Sequence, residues 1–89
     1  MSDNAAQADG IRNQIKNFIL EEFLQGASAD ELKNDTALMS SGILDSLATV
    51  RLVASLEERY GIRIAPHEVS VDYLDDLDAI TELVLSKQG

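Results

Sequence analysis

S-G-I-L-D-S-L, residues Ser41–Leu47, is where the chain passes from a glycine-containing loop into a helix, and its reading places everything around it. Apolar Ile43 and Leu44 come before Asp45-Ser46, and apolar Leu47 follows. Asp and Ser are both favoured helix caps, because their side-chain oxygens accept the amides that a first turn leaves free. Taken alone, such a pair means only that a helix begins. Only one of the two needs to cap, however. With Asp45 as the cap, Ser46 is the first helical residue and its hydroxyl is spare. It then stands at a helix start, where free amides and the positive dipole end favour a phosphate.

The helix that follows spans Ser46 to about Tyr60, and Gly61 stands where left-handed closing geometry is common. At ~100° per residue its apolar side chains divide into two stripes. Thr49, Leu52, Val53, Leu56 and Tyr60 share the longer, bulkier stripe, which should face a core. Leu47, Val50 and Ala54 project the other way, exposed beside Arg51, Glu57 and Glu58. Exposed apolar groups next to a polar anchor suggest a surface for visiting proteins.

Working outward, Met1–Asp9 reads as a disordered tail and residues 10–87 as the domain. Ile11, Ile15, Phe18, Ile19 and Phe23 have the spacing of one helical face, with Leu20 and Leu24 widening it. Asp9 is placed to cap this first helix and Gly26 to end it. Ala27–Leu44 is a long connection anchored by Leu32, Leu38, Met39, Ile43 and Leu44, with a helical turn expected over Asp30–Lys33 capped by Ser28. A connection this long in so small a domain is usually functional. After the second helix, Ile62 and Ile64 point the same way along an extended link to Pro66. A short third helix is expected within Val69–Leu74. Asp75 or Asp76 then caps a last helix to about Lys87, burying Leu77, Ile80 and Val84. The expected fold is all-α: a small four-helix bundle of three main helices and a short third one, with a long loop between helices 1 and 2.

Composition narrows the function. Eighty-nine residues make one small domain. The absence of cysteine excludes disulfides, thiolate zinc sites and cysteine nucleophiles, and His67 is the single histidine. Seven basic against sixteen acidic residues, a net charge of −9, argue against nucleic acid and anionic membrane as partners and for basic protein surfaces. The polar start and the lack of a long apolar run suggest a cytoplasmic protein. A triad of Ser46, His67 and an aspartate would need an oriented base and an oxyanion hole within a pocket. His67 follows Pro66 in a loop, so no catalytic activity is expected. Asp72, Asp75, Asp76 and Asp78 lack the glycine and distal glutamate of a calcium loop. They read as charges favoured by a helix start, and no metal site is expected.

Four landmarks occur in order: D-T-A-L (Asp35–Leu38), S-G-I-L-D-S-L, E-E-R-Y-G-I-R-I (Glu57–Ile64) and L-D-D-L-D-A-I (Leu74–Ile80). Together, in one short acidic chain and over Ile11–Ser86, they resemble the acyl carrier proteins. The resemblance implies that Ser46 carries 4′-phosphopantetheine, transferred from coenzyme A by a phosphopantetheinyl transferase, and that the arm's thiol holds an acyl or aminoacyl group. Asp45, Leu47 and Gly42 match the attachment motif and its loop glycine. Glu57 and Glu58 match acidic positions of the family's recognition helix, beside the exposed Leu47, Val50, Arg51 and Ala54. The implied partners are the transferase, an acyl- or aminoacyl-loading enzyme and downstream pathway enzymes. Two positions depart from the family: fatty-acid carriers commonly have acidic residues where this chain has Ala48 and Arg51. Reversing a charge on a recognition face alters which partners are tolerated. The expectation is therefore a monomeric, stand-alone carrier of a polyketide, aminoacyl or other secondary-metabolite pathway, antibiotic biosynthesis included. G-I-L-D-S also resembles free-standing D-alanyl-type carriers, whereas peptidyl carriers inside synthetases more often read G-G-x-S. A fatty-acid synthesis carrier and a non-covalent acidic adaptor are the alternatives.

Overall fold

The computed structural model describes residues 3–24, 26 and 29–88. Its α-helices are α1 (Asp3–Phe23), α2 (Ser46–Tyr60), α3 (Val71–Leu74) and α4 (Leu77–Gln88), with 3₁₀ turns at Ala29–Glu31 and Pro66–Glu68. The described residues contain no strand, and the all-α bundle read from the hydrophobic periodicity is the observed fold.

One face of each helix builds the core. Ile11, Ile15 and Ile19 of α1 meet Leu77, Ile80, Leu83 and Val84 of α4, Leu52 and Leu56 of α2, and Leu74 of α3. Helix α1 packs chiefly on α4, and Arg12 Nε donates to Asp78 Oδ1 at 2.8 Å across that contact. Tyr60 Oη donates to Gln14 Oε1 at 2.6 Å and ties α2 to α1. Ile62 and Ile64 are buried on the extended link, as their shared direction predicts. The long connection is no slack loop. Leu32, Leu38 and Leu44 are each buried in the core, and burying a leucine side chain stabilises by about 1.5–3 kcal/mol.

Two expectations are corrected. Helix α1 begins at Asp3, inside the segment read as a tail, so Asp9 is not its cap. The Asp9 carboxylate instead accepts from Arg12 Nη1 at 2.8 Å, one turn on. The turn expected over Asp30–Lys33 starts one residue earlier, at Ala29, and Ser28 lies outside the described residues.

At the far end, Asp76 is the residue that caps α4: its Oδ1 accepts the Ala79 amide at 2.7 Å. Lys87 does more than complement the α4 dipole. Its Nζ lies 2.6 Å from Glu68 Oε1, and the same carboxylate oxygen accepts the Ala65 amide at 2.8 Å. The Lys87 contact above all, and then the Ala65 amide, hold the Glu68 carboxyl below its usual range. No described helix is long and apolar enough to cross a membrane.

Candidate functional site

The start of α2 answers which of the paired residues caps it. Asp45 has extended backbone, and its Oδ1 accepts the Ala48 amide at 2.8 Å while its carbonyl accepts the Thr49 amide at 2.8 Å. Asp45 is thus the cap, and the amides of Ser46 and Leu47 in the first turn stay free among the described residues. Ser46 is therefore the first helical residue and is exposed, and no group among the described residues hydrogen-bonds its hydroxyl.

Two features aim the chain at this point. Gly42 has φ +90°, a left-handed conformation that side chains with a Cβ resist. Space around it is open, so the backbone angle and not crowding demands glycine. Its amide donates to Met39 O at 3.2 Å, closing a turn just before Ile43. Within that turn the Ser41 hydroxyl donates to Ala37 O at 2.6 Å. The second feature is Asp75, read only as an alternative cap. Its Oδ1 accepts the amides of Met39 and Ser40 at 2.9 and 2.8 Å, its Oδ2 accepts the Ser40 hydroxyl at 2.6 Å, and its carbonyl accepts the Leu38 amide at 2.6 Å. Ser40's hydroxyl and amide, followed by the Met39 amide, hold the Asp75 carboxyl below its usual range.

An open groove of about 510 Å³ runs from Ser46 between α2 and the α3 segment. Met39, Leu44, Asp45, Thr49, Val50, Val69 and Val71 line it with Ser46. Its outer lip is apolar and open to solvent: Val50 is 61 % exposed and Val71 50 %. Leu47, 70 % exposed, continues this surface beside Ser46. Sequence reasoning placed Leu47 and Val50 here but missed Val71. A lone valine opening a four-residue helix has no periodicity to reveal its face.

The structure separates the remaining expected face residues. Ala54 and Glu58 are exposed as expected. Glu57 is not: it is half-buried, and its Oε2 accepts the Ile64 amide at 2.8 Å, fastening the link that follows α2. The expectation that grouped Glu57 with Glu58 is corrected accordingly. Arg51 is exposed but tethered. Its Nη2 lies 2.8 Å from Glu22 Oε1 of α1, and its guanidinium stands 5.7 Å from the Phe23 ring centre. Ala48 is buried, so of the two departures only Arg51 lies on the open face.

His67 is exposed and meets the Tyr73 ring edge-to-face at 6.3 Å. It does not line the Ser46 groove. Asp75, Asp76 and Asp78 are each engaged, with loop amides, the α4 cap and Arg12 respectively. No group of three or more His, Cys, Asp or Glu among the described residues is arranged to hold a metal ion.

The chain is similar to known proteins over most of its length. Residues 19–84 match the family model described as "Phosphopantetheine attachment site". Among solved structures, a chain in the "Crystal structure of FAD-dependent dehydrogenase" is similar, with a TM-score of 0.71 and 34 % sequence identity. The match covers 79 % of this chain and 97 % of that one.

Proposed function

The chain belongs to the phosphopantetheine-attachment family, and we propose that it is a stand-alone carrier protein with its arm on Ser46, presenting an acyl or aminoacyl group to the enzymes of a specialised pathway. Family membership implies a covalently attached 4′-phosphopantetheine. The observation that carries the reading is the Ser46 hydroxyl, exposed at the first position of α2 and unengaged because Asp45 does the capping. When bound, the group supplies a terminal thiol that holds cargo as a thioester, which is how a chain without cysteine joins thiol chemistry.

The residues present fit such a group. The Asp45 cap fixes the backbone that carries Ser46, and the dipole of α2 favours a phosphate on its first residue. The groove beside it lies within the size range of small-molecule sites. Asp45, Leu47 and Gly42 surround the attachment point in the roles their positions suggest: a cap, an exposed apolar contact and a turn. The chain itself supplies no reacting group, and the chemistry belongs to the enzymes that visit it.

Leu47, Val50, Ala54 and Glu58, with Arg51 beside them, are the surface offered to a phosphopantetheinyl transferase, a loading enzyme and downstream enzymes. Arg51 supports a specialised pathway, because a cation stands where fatty-acid carriers commonly have an acid. The similar chain from a structure described as a FAD-dependent dehydrogenase supports an enzyme of that class among the downstream partners. Such an enzyme removes a hydride to its flavin and a proton from the adjacent carbon of the cargo. The protein works as a monomer in the cytoplasm. A fatty-acid synthesis carrier is the second reading, favoured by the exposed Glu58 on the same helix.

The mass of the thioester-bound species isolated from the native host tests the reading. A short acyl or aminoacyl group, present together with a form lacking two hydrogens, is expected. A series of saturated fatty chains lengthening by two carbons would replace this reading with the fatty-acid one.

A further inference from the structure

Beyond Arg63 the chain carries six acidic residues and one basic residue, Lys87. Four of the six acids are engaged. Glu68 pairs with Lys87, Asp75 holds loop amides, Asp76 caps α4 and Asp78 meets Arg12. Asp72 and Glu82 differ. Both are exposed, and neither has a hydrogen bond or ion pair among the described residues. They also lie together, because both line one open groove of about 390 Å³ between α3 and α4.

Tyr73, Ala79 and Leu83 line the same groove and give it an apolar wall. The Tyr73 ring is 38 % exposed, and His67 braces it edge-on at 6.3 Å. Asp72 comes from α3 and Glu82 from α4, so each helix brings one free carboxylate. The groove is separate from the one at Ser46. Val71 and Tyr73 stand two positions apart in α3, about 200° round a helix. Val71 lines the first groove and Tyr73 the second, and the two share no lining residue. Helix α3 is thus a ridge between them.

Charge narrows the occupant. Lys87 is spent on Glu68, so an anionic lipid surface would meet uncompensated negative charge here. A second copy of the chain would meet the same repulsion, each carrying −9. A cationic side chain fits: two carboxylates complement its charge, and an aromatic ring offers it a face. We propose that the α3–α4 groove is a second docking surface, which takes a basic segment of a partner protein. An arginine or lysine sits between Asp72 and Glu82 against Tyr73, and an apolar neighbour lies over Ala79 and Leu83. A partner held there leaves Ser46 and the face beside it open to another enzyme. The groove needs nothing from Ser46 to do so.

NMR titration with a capped peptide of alternating arginine and leucine, at low ionic strength, tests this on the chain bearing its arm and on Ser46→Ala. The amide signals of Asp72, Tyr73, Glu82 and Leu83 are expected to move in both, with the same Kd, while those of Leu47 and Val50 stay still. Asp72→Asn combined with Glu82→Gln should weaken binding about fivefold. Tyr73→Leu should weaken it about threefold. Glu21→Gln combined with Asp30→Asn removes the same charge from exposed, unpartnered positions elsewhere and should cost less than about twofold. Equal weakening by the two double variants would reduce the binding to net charge and overturn the proposal. Movement centred on Leu47 and Val50, or binding lost in Ser46→Ala, would overturn it as well, and neither touches Ser46 as the attachment point. Magnesium chloride moving the same signals to the same extent would make the groove a cation site instead.

Discussion

Asp75 grips Ser40 through both carboxylate oxygens, one accepting its amide at 2.8 Å and the other its hydroxyl at 2.6 Å, across 35 residues of chain. With the Met39 amide on the first oxygen and the Leu38 amide on the Asp75 carbonyl, the junction between α3 and α4 holds the loop that leads to Ser46. The neighbouring Asp76 caps α4. Two adjacent aspartates therefore divide two tasks, as Asp45 and Ser46 do at the start of α2.

Asp75→Ala should lower Tm on the order of 5 °C, since three donors lose their acceptor. The pH profile separates this from general damage. A carboxyl held below its ordinary value of 3.8 contributes stability that is present above that value and lost as pH falls through the lower folded one. The wild type should thus lose stability more steeply below about pH 4 than Asp75→Ala does. Acid-unfolding curves of equal slope would refute the clasp.

Asp45 offers a cleaner separation of structure from charge. Asp45→Ala removes the acceptor of the Ala48 amide and should cost about 1 kcal/mol of stability. Asp45→Asn keeps a capping oxygen and should melt close to wild type. Chemical denaturation of the pair checks this, and equal losses in the two variants would show that the 2.8 Å bond does not cap the helix.

The exposed face should be felt by partners and hardly by the fold. Leu47→Ala and Arg51→Glu lie at exposed positions, where substitutions usually change stability by less than about 0.5 kcal/mol. Arg51→Glu also places a second acid against Glu22 and gives up the guanidinium's contact with the Phe23 ring, two surface contacts of small worth. Leu47→Ala is expected to raise the transferase KM, and Arg51→Glu to improve turnover with fatty-acid synthesis enzymes. Unchanged kinetics in both variants would remove this face from recognition.

Much of this was legible in the chain because helical periodicity and capping chemistry are local. The limits of α2, a cap at either Asp45 or Ser46, the closing Gly61 and the exposure of Leu47 and Val50 follow from residues within a turn or two of each other. What stayed hidden depends on distant partners. Nothing near Asp75 announces that Met39 and Ser40 will donate to it, nor does α2 announce that Glu57 reaches Ile64. Ala48 looked like part of the open face and is buried. The start of α1 was misplaced because Asp9 has the chemistry of a cap, and only its pairing with Arg12 shows that it sits inside the helix.

The account turns on whether residue 46 offers a free oxygen for modification. Intact-mass measurement after incubation with coenzyme A and a broad-specificity phosphopantetheinyl transferase asks that question directly. Wild-type chain should gain the mass of one 4′-phosphopantetheine, and Ser46→Ala should gain nothing. No gain in the wild type, or the same gain in Ser46→Ala, would contradict it.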